Sequence, residues 1–293
     1  FSKIKYDDNY FIADDYRDRD DFTLEEIVDA YSLSEGQLRE MYDYSRGLGI
    51  ECISTPFSKK EVDFLVDELD VPFIKIASMD LNNYPFLEYI AKKDKPMVLS
   101  TGLSELYEID KAIHTIESTG NDKLVILHCV AIYPTPDENV NLNNIDTLKK
   151  LYPYPIGFSD HTLGYSIPLA SVAKGVCLIE KHFTLDKDME GWDHKVSVTP
   201  DEMRIIVEES KRISKAMGSS RIISTEDDIR KTEFRRSIVT TRNMKSGEII
   251  KSSDLDAKRP GTGIPPDDLR YVTGRTLKND VLEDEILNWE DLV

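Results

Sequence analysis

Two histidines, His161 and His182, each end a short apolar run and define the first chemistry that the sequence suggests. Such runs are typical of buried parallel strands, which present reactive side chains at their carboxyl ends. Residues 162–175 are long enough for one crossover helix, so the two strands should be parallel neighbours roughly 4.8 Å apart. Both imidazoles could then hold one Mn, Fe or Zn ion. Alternatively each histidine caps its own strand, but Asp160 and Glu180 beside them favour a metal site.

Hydroxyl groups lie at the ends of several other short apolar runs, at Thr55, Ser78, Ser100 and Ser159. Each hydroxyl could belong to a site at the strand ends or could cap the helix that follows its strand.

Six short apolar runs recur along the chain with helical patterns between them, which indicates a parallel sheet covered by helices. The runs are 51–56, 73–78, 96–101, 123–129, 155–161 and 177–182. Reactive residues at nearly every strand end favour an α/β fold of the (β/α)8 TIM-barrel type over a doubly wound sheet, because a barrel gathers its site from all its βα loops. Six strands do not close such a barrel. We therefore expect that two N-terminal strands are absent from the sequence as given.

Two helices are predicted with defined ends. Ser34 and Gln37 have the spacing of a capping box, and the helix that they begin should end at Gly47 and Gly49. Residues 200–217 are predicted to form the last barrel helix. Residues 1–22 are dense in Asp, Tyr and Arg without a clean period and are expected to form a long loop.

The composition excludes several classes of protein. The 293 residues contain 37 Lys and Arg against 55 Asp and Glu, a formal charge of −18. This excess of negative charge argues against a nucleic-acid partner. The sequence also contains no run of about 18 apolar residues, the length needed to span a membrane. Cys52, Cys129 and Cys177 lie in apolar runs without a disulfide pattern, which predicts buried thiols and a cytoplasmic protein.

The sequence is expected to form two domains. Residues 1–220 would form the barrel and 221–233 a polar linker, whereas 234–293 carry the short strands and tight turns of a small β-rich domain. Arg259 precedes Pro-Gly in a turn that could present its guanidinium outward. Without further context, Arg259 is an ordinary surface residue.

The order and spacing of several motifs resemble the sialic acid synthase family over essentially the whole chain. The motifs are Ser54-Thr-Pro-Phe57, Lys75–Pro85, Leu99-Ser-Thr-Gly102, His128-Cys129 with Ile132–Pro136, Phe158-Ser-Asp-His-Thr162, Glu180-Lys-His-Phe-Thr184, the Gly191–His194 region and Lys258-Arg-Pro-Gly-Thr-Gly263. The last of these is similar to the antifreeze-like (SAF) C-terminal domain of that family.

The resemblance implies a transferase that condenses phosphoenolpyruvate with an N-acylated amino hexose to give a nonulosonic acid and phosphate. His161 and His182 would bind a divalent ion, Mn²⁺ in the first place and Mg²⁺ or Co²⁺ as alternatives, that polarises the sugar aldehyde. Phosphoenolpyruvate would be held by Thr55, Lys75, Ser78, Ser100 and Ser159. The family's sugar-contact positions correspond to Asp80, Tyr133 and Asp193, and Asp80 joins the two histidines as a catalytic candidate.

The resemblance also implies a domain-swapped homodimer, in which the SAF domain of one subunit covers the barrel of its partner. Arg259 would then reach the sugar bound by the other subunit. His128 is expected to be a core residue or one that supports the site, and His194 receives no metal role.

Two departures from the family pattern leave alternatives open. Family members begin with strands that carry an acidic residue, Lys and Gln, and these strands are not in this sequence, so a catalytically silent carbohydrate-binding homologue is one alternative. Ala131 stands where the synthases for N-acetylmannosamine have Asn, so the sugar could be a diacetamido hexose used for legionaminic or pseudaminic acid. A third alternative is another metal-dependent aldolase of barrel fold that uses pyruvate.

Overall fold

A computed structural model describes residues 32–189 and 193–293 of the chain. These residues belong to two compact units, 1–218 and 219–293. The loop predicted for residues 1–22 lies outside the described residues.

The first unit contains a curled parallel sheet of five strands in the order β1-β2-β3-β4-β5. The strands are β1 Ile74–Ile76, β2 Met97–Ser100, β3 Leu124–Cys129, β4 Ile156–Asp160 and β5 Ile179–Lys181. Sequential order means that each strand pairs with the next along the chain, as in a barrel. The five strands form about half of such a barrel, and the complete eight-stranded barrel remains a prediction.

The predicted strand over 51–56 is wrong. This segment belongs to no strand, and β1 pairs only with β2 within the described part of the chain. A strand exists only where hydrogen bonds join it to a neighbour, and residues 51–56 make no such bonds with the free edge of β1. The apolar pattern was therefore insufficient to predict a strand here.

Helices follow the strands and cover the sheet. The helices of this unit are α1 Glu35–Gly47, α2 Lys59–Asp63 with a wider turn over Phe64–Glu68, α3 Tyr84–Ala91, α4 Leu106–Glu117, α5 Asp137–Val140, α6 Asn143–Leu151, α7 Ser166–Ala173 and α8 Pro200–Met217. The predicted capping box at Ser34 is confirmed, because its side chain accepts from Gln37 N–H while the Gln37 side chain accepts from Ser34 N–H. The bounds predicted for α8 are also confirmed.

Strands β1, β2 and β4 are buried along their whole length and β3 almost so, whereas β5 at the sheet edge is half-buried. Ile74, Met97, Leu99 and Ile126 are fully buried in the core cluster of this unit. This burial explains why the strands appear in the sequence as continuous apolar runs rather than alternating ones.

The second unit has its own small core. It contains α9 Asp228–Phe234, the antiparallel pair β6 Ser237–Thr240 and β7 Leu255–Lys258, and α10 Leu269–Val272. Isolated bridges tie the remaining turns together around buried Ile238, Val272 and Leu287. A small β-rich unit of this kind was predicted from the turn-rich sequence.

Two expectations from composition can be compared with the structure. No helix in the described residues is long and apolar enough to cross a membrane.

Cys129 is buried and Cys52 is half-buried, but Cys177 is exposed, so the prediction of three buried thiols is wrong at that position. Cys177 precedes β5 at the edge of the sheet, where less protein covers it.

Candidate active site

Strands β1, β4 and β5 of the curled sheet bring a lysine, a serine and a glutamate together. Ser159 on β4 donates its hydroxyl hydrogen bond to Glu180 Oε1 on β5 at 2.7 Å. Lys75 Nζ on β1 lies 3.6 Å from Glu180 Oε2. Lys75 and Ser159 are buried. The sheet therefore holds a cation, a hydroxyl and a carboxylate within one small polar cluster.

Two further serines extend this cluster along β1 and β2. Ser78 Oγ accepts a hydrogen bond from Gly102 N–H at 3.0 Å and lies 3.5 Å from Cys129 Sγ. A Cβ at Gly102 would lie 2.7 Å from Ser78 Oγ, so only glycine permits this approach. Ser100 Oγ is buried and has no hydrogen-bond partner among the described residues. An unpaired buried hydroxyl costs free energy unless a ligand satisfies it, which makes Ser100 a plausible ligand contact.

Three aromatic rings lie together at the ends of β3, β4 and β5. The ring centroids of His161 and His182 are 5.2 Å apart, and the Tyr133 ring lies 4.1 Å from His161 and 5.7 Å from His182. Burial raises the pKa of Tyr133 to about 12, so its hydroxyl stays protonated and can donate a hydrogen bond near neutral pH. The predicted proximity of the two histidines is present in the structure.

The two imidazoles suit a divalent ion as a partial set of ligands. The Nδ1–H of His161 donates to Val130 O at 2.8 Å, which leaves the lone pair on Nε2. His182 Nδ1 lies 3.5 Å from Asp193 Oδ2, and a carboxylate there likewise favours the proton on Nδ1. Burial lowers the pKa of His161, which favours the neutral form that binds metals. Neither histidine is part of a larger cluster, because no group of three or more His, Cys, Asp or Glu residues suited to a metal occurs within residues 32–189 and 193–293.

The structure leaves other candidates apart from this cluster. Thr55 is half-buried in the segment between α1 and α2. Asp80 lies in the turn after β1 and accepts a hydrogen bond from Asn83 Nδ2 at 3.2 Å. Arg259 belongs to the second unit, where its guanidinium lies 5.0 Å from the centre of the Phe234 ring. Of the Gly191–His194 motif, Gly191 and Trp192 lie outside the described residues.

The other two candidate histidines have structural partners. His128 is buried, its Nε2 lies 2.6 Å from Val140 O, and its ring stacks on Phe158. His194 Nδ1 lies 2.7 Å from Thr184 Oγ1. His128 is therefore a buried residue of β3, and His194 is bonded to a residue close to the end of β5.

Sequence reasoning missed the position of Glu180 and misjudged that of Asp160. Both were assigned to the surroundings of the histidines, but only Glu180 is on their face of the sheet, where it contacts Ser159. Asp160 is on the opposite face and pairs with Lys181. Alternation along the strand carried a usable signal, because Glu180 and His182 are two positions apart and must share a face.

Comparison with known proteins gives two matches along this chain. Residues 2–222 match the NeuB family, and residues 235–293 match the SAF domain. The resemblance found in the motifs is thereby confirmed.

Individual relatives match over most of the chain. An uncharacterized protein of Methanocaldococcus jannaschii is 46% identical over 270 residues, which are 92% of this chain and 80% of the relative. The N,N'-diacetyllegionaminic acid synthase of Legionella pneumophila is 36% identical over 275 residues, which are 92% of this chain and 77% of that protein. The crystal structure of N-acetylneuraminic acid (sialic acid) synthetase from Leptospira borgpetersenii superposes with a TM-score of 0.65 at 33% identity, covering 68% of this chain and 70% of that one.

Proposed function

Because this chain belongs to the NeuB family and carries a SAF domain, we propose that it condenses phosphoenolpyruvate with an N-acylated amino hexose to form a nonulosonic acid and phosphate. The observation that carries this proposal is the cluster at the strand ends, where Lys75, Ser100 and Ser159 lie on the same edge of the sheet as His161 and His182. An anion site beside an imidazole pair suits a reaction between a phosphorylated acid and an aldehyde.

Phosphoenolpyruvate would bind at the hydroxyls and the ammonium. Lys75 supplies the positive charge, and Ser100 supplies a buried hydroxyl that has no hydrogen-bond partner in the part of the chain that the structure describes. Ser78 and Ser159 would exchange their present partners for ligand oxygens, and Thr55 would complete the site. C3 of phosphoenolpyruvate then attacks the aldehyde carbon of the sugar, water adds at C2, and the C2–O bond to phosphate breaks.

His161 and His182 would hold the divalent ion, with Mn²⁺ as our first choice. When bound, the ion supplies Lewis-acid polarisation of the aldehyde oxygen. The protein's own contribution is orientation, because Val130 O and Asp193 Oδ2 set the proton of each ring on Nδ1 and leave each Nε2 lone pair available. Tyr133, whose ring packs on His161, would contact the sugar through its protonated hydroxyl. Asp80 and Asp193 complete the proposed sugar contacts.

The sugar that we favour is a diacetamido hexose. Ala131 replaces the amide that N-acetylmannosamine synthases carry, and a methyl group cannot make its hydrogen bonds. Ala131 also lines a cavity of about 520 Å³, together with residues of α4 and α6. The similarity to an N,N'-diacetyllegionaminic acid synthase supports the same choice.

A second copy of the chain would cover the site. An exposed apolar residue follows each of the five strands by two or three positions, and these residues are 44–77% exposed. They are Met79, Leu103, Ile132, Leu163 and Phe183. A row of exposed apolar residues of this kind along the carboxyl edge of the sheet is typical of a surface that a partner covers. We propose that the SAF domain of the second subunit lies there and presents Arg259 to the sugar.

The reaction is tested by phosphate release from phosphoenolpyruvate in the presence of Mn²⁺ and a panel of N-acetylmannosamine and diacetamido hexoses. The proposal expects phosphate release that requires both substrates, and a product whose mass equals the sugar plus pyruvate. Phosphoenolpyruvate alone and sugar alone are the controls. A pyruvate-using aldolase would instead form product from pyruvate without phosphate, and a silent homologue would bind sugar without turnover.

A further inference from the structure

The strand ends that carry His161 and His182 are joined by an ion pair on the opposite face of the sheet. Asp160 is the last residue of β4 and Lys181 the last of β5, and the two are direct neighbours in the strand register. Lys181 Nζ lies 2.6 Å from Asp160 Oδ2, and the two side chains are 1% and 0% exposed. Each member of the pair immediately precedes one of the two histidines.

This pair is unusual for the molecule. Among ion pairs within the described ranges, it alone has both side chains less than 2% exposed; the next most buried, Lys75 with Glu180, has a glutamate that is 39% exposed. Removing two charges from water is costly, and well-packed apolar residues of similar volume usually give equal or greater stability. Stability alone is therefore a weak reason for an ion pair at this place, whereas directional bonds would explain it.

The bonds of the pair fix the backbone on both sides of His161. Asp160 Oδ1 accepts from Thr162 N–H at 3.0 Å, and Lys181 Nζ also donates to Thr162 O. Strand β5, in contrast, has only three residues and pairs only with β4 among the strands of the described residues. Just after β5, Val198 N–H donates to His182 O at 2.9 Å and an isolated bridge joins Phe183 to Val198. These bonds hold the chain that follows β5, whereas the ion pair joins the ends of β4 and β5 directly to each other.

We propose that Asp160 and Lys181 are positioning residues that set the separation of His161 and His182. Neither side chain faces the ligands, because successive residues of a strand point to opposite faces. They act through the backbone. By holding the two strand ends together, they keep the ring centroids of the two imidazoles 5.2 Å apart. The proposal rests on the proposed function, in which the two histidines bind the divalent ion.

The test replaces both charges with apolar side chains, in the double variant Asp160→Leu with Lys181→Met. We expect the urea unfolding midpoint to stay equal or rise, while the Kd for Mn²⁺, measured by calorimetry on the full chain without substrates, rises roughly 10- to 100-fold, the range for residues that orient metal ligands. Phosphoenolpyruvate affinity in the absence of metal should change little, because Lys75 keeps its contacts. A Kd for Mn²⁺ within twofold of the wild-type value would overturn the proposal.

A matched control is available in the same unit. Lys174 and Asp146 also form an ion pair at 2.7 Å, but their side chains are 31% and 44% exposed and lie away from the strand ends. Asp146→Leu with Lys174→Met makes the same chemical changes and should leave the Mn²⁺ Kd unaltered. If the control raises the Kd as much as the test variant does, the effect is general and the positioning role is refuted.

Two further variants keep the outcomes distinct. His182→Ala should abolish Mn²⁺ binding; if it does and the double variant does not, the positioning role is wrong and the proposed metal site stands. If His182→Ala binds Mn²⁺ normally, the metal site itself is wrong and the positioning role falls with it. Should the apolar double variant fail to fold, Asp160→Asn with Lys181→Met leaves no buried charge and removes both hydrogen bonds of Lys181 Nζ, and its Mn²⁺ Kd is interpreted in the same way.

Discussion

Replacing Glu180 by glutamine tests the electrostatics of the proposed anion site. The amide keeps the size of the side chain and an oxygen that can accept from Ser159, but it removes a negative charge that lies 3.6 Å from Lys75 Nζ. A carboxylate beside the binding ammonium opposes an incoming anion. We therefore expect Glu180→Gln to bind phosphoenolpyruvate more tightly than the wild type does.

The size of this effect follows from the geometry. Two unit charges 3.6 Å apart interact by about 5 kcal/mol at an effective dielectric constant of about 20. The Glu180 side chain is 39% exposed, so screening by solvent reduces the usable interaction to roughly 1 kcal/mol. A phosphate bound at Lys75 would experience a repulsion of similar size, which corresponds to about a fivefold change in Kd.

The assay is calorimetric titration of phosphoenolpyruvate in the absence of sugar and metal, so that turnover does not interfere. The control is Glu138→Gln, which changes the net charge equally at an exposed position on α5 and should leave the Kd unaltered. Unchanged or weaker binding by Glu180→Gln would refute the reasoning, because the carboxylate would then not oppose the anion.

Three further predictions concern the metal, the second unit and the sheet. His182→Ala should abolish divalent-ion dependence and turnover while leaving the circular dichroism spectrum unchanged, since strand-end positions lie outside the packed barrel layers; retained metal content and activity would make the histidine structural. Arg259→Ala should raise the KM for sugar strongly with little change in the KM for phosphoenolpyruvate. Mixing this variant with His161→Ala should restore some activity, because each mixed dimer then has one intact composite site. If subunit exchange is proven and no activity returns, the swapped dimer is wrong. Gly157→Ala should lower the free energy of unfolding by about 1–3 kcal/mol, because its Cβ would lie 2.4 Å from Leu127 Cδ2 and 2.9 Å from Leu178 O; an unchanged urea midpoint would contradict this overpacking.

Local signals in the sequence determined several elements of this protein. The capping box of Ser34 and the Thr199-Pro200 start of α8 set helix ends through bonds between near neighbours in the chain, so they could be predicted directly. Five of six apolar runs form strands, and the polar residues that end them do meet at one edge of the sheet. The motif series was also sufficient to identify the family.

Tertiary structure alone decided which side chains face the site. Strand β4 is buried on both faces, so its apolar pattern did not distinguish the face of Ser159 and His161 from the face of Asp160. Only the register of β4 against β5 puts Glu180 beside Ser159 and closes the ion pair of Asp160 with Lys181 behind the histidines. The segment 51–56 failed as a strand for the same reason, because a strand depends on hydrogen-bond partners far away in the sequence, and no local pattern specifies them.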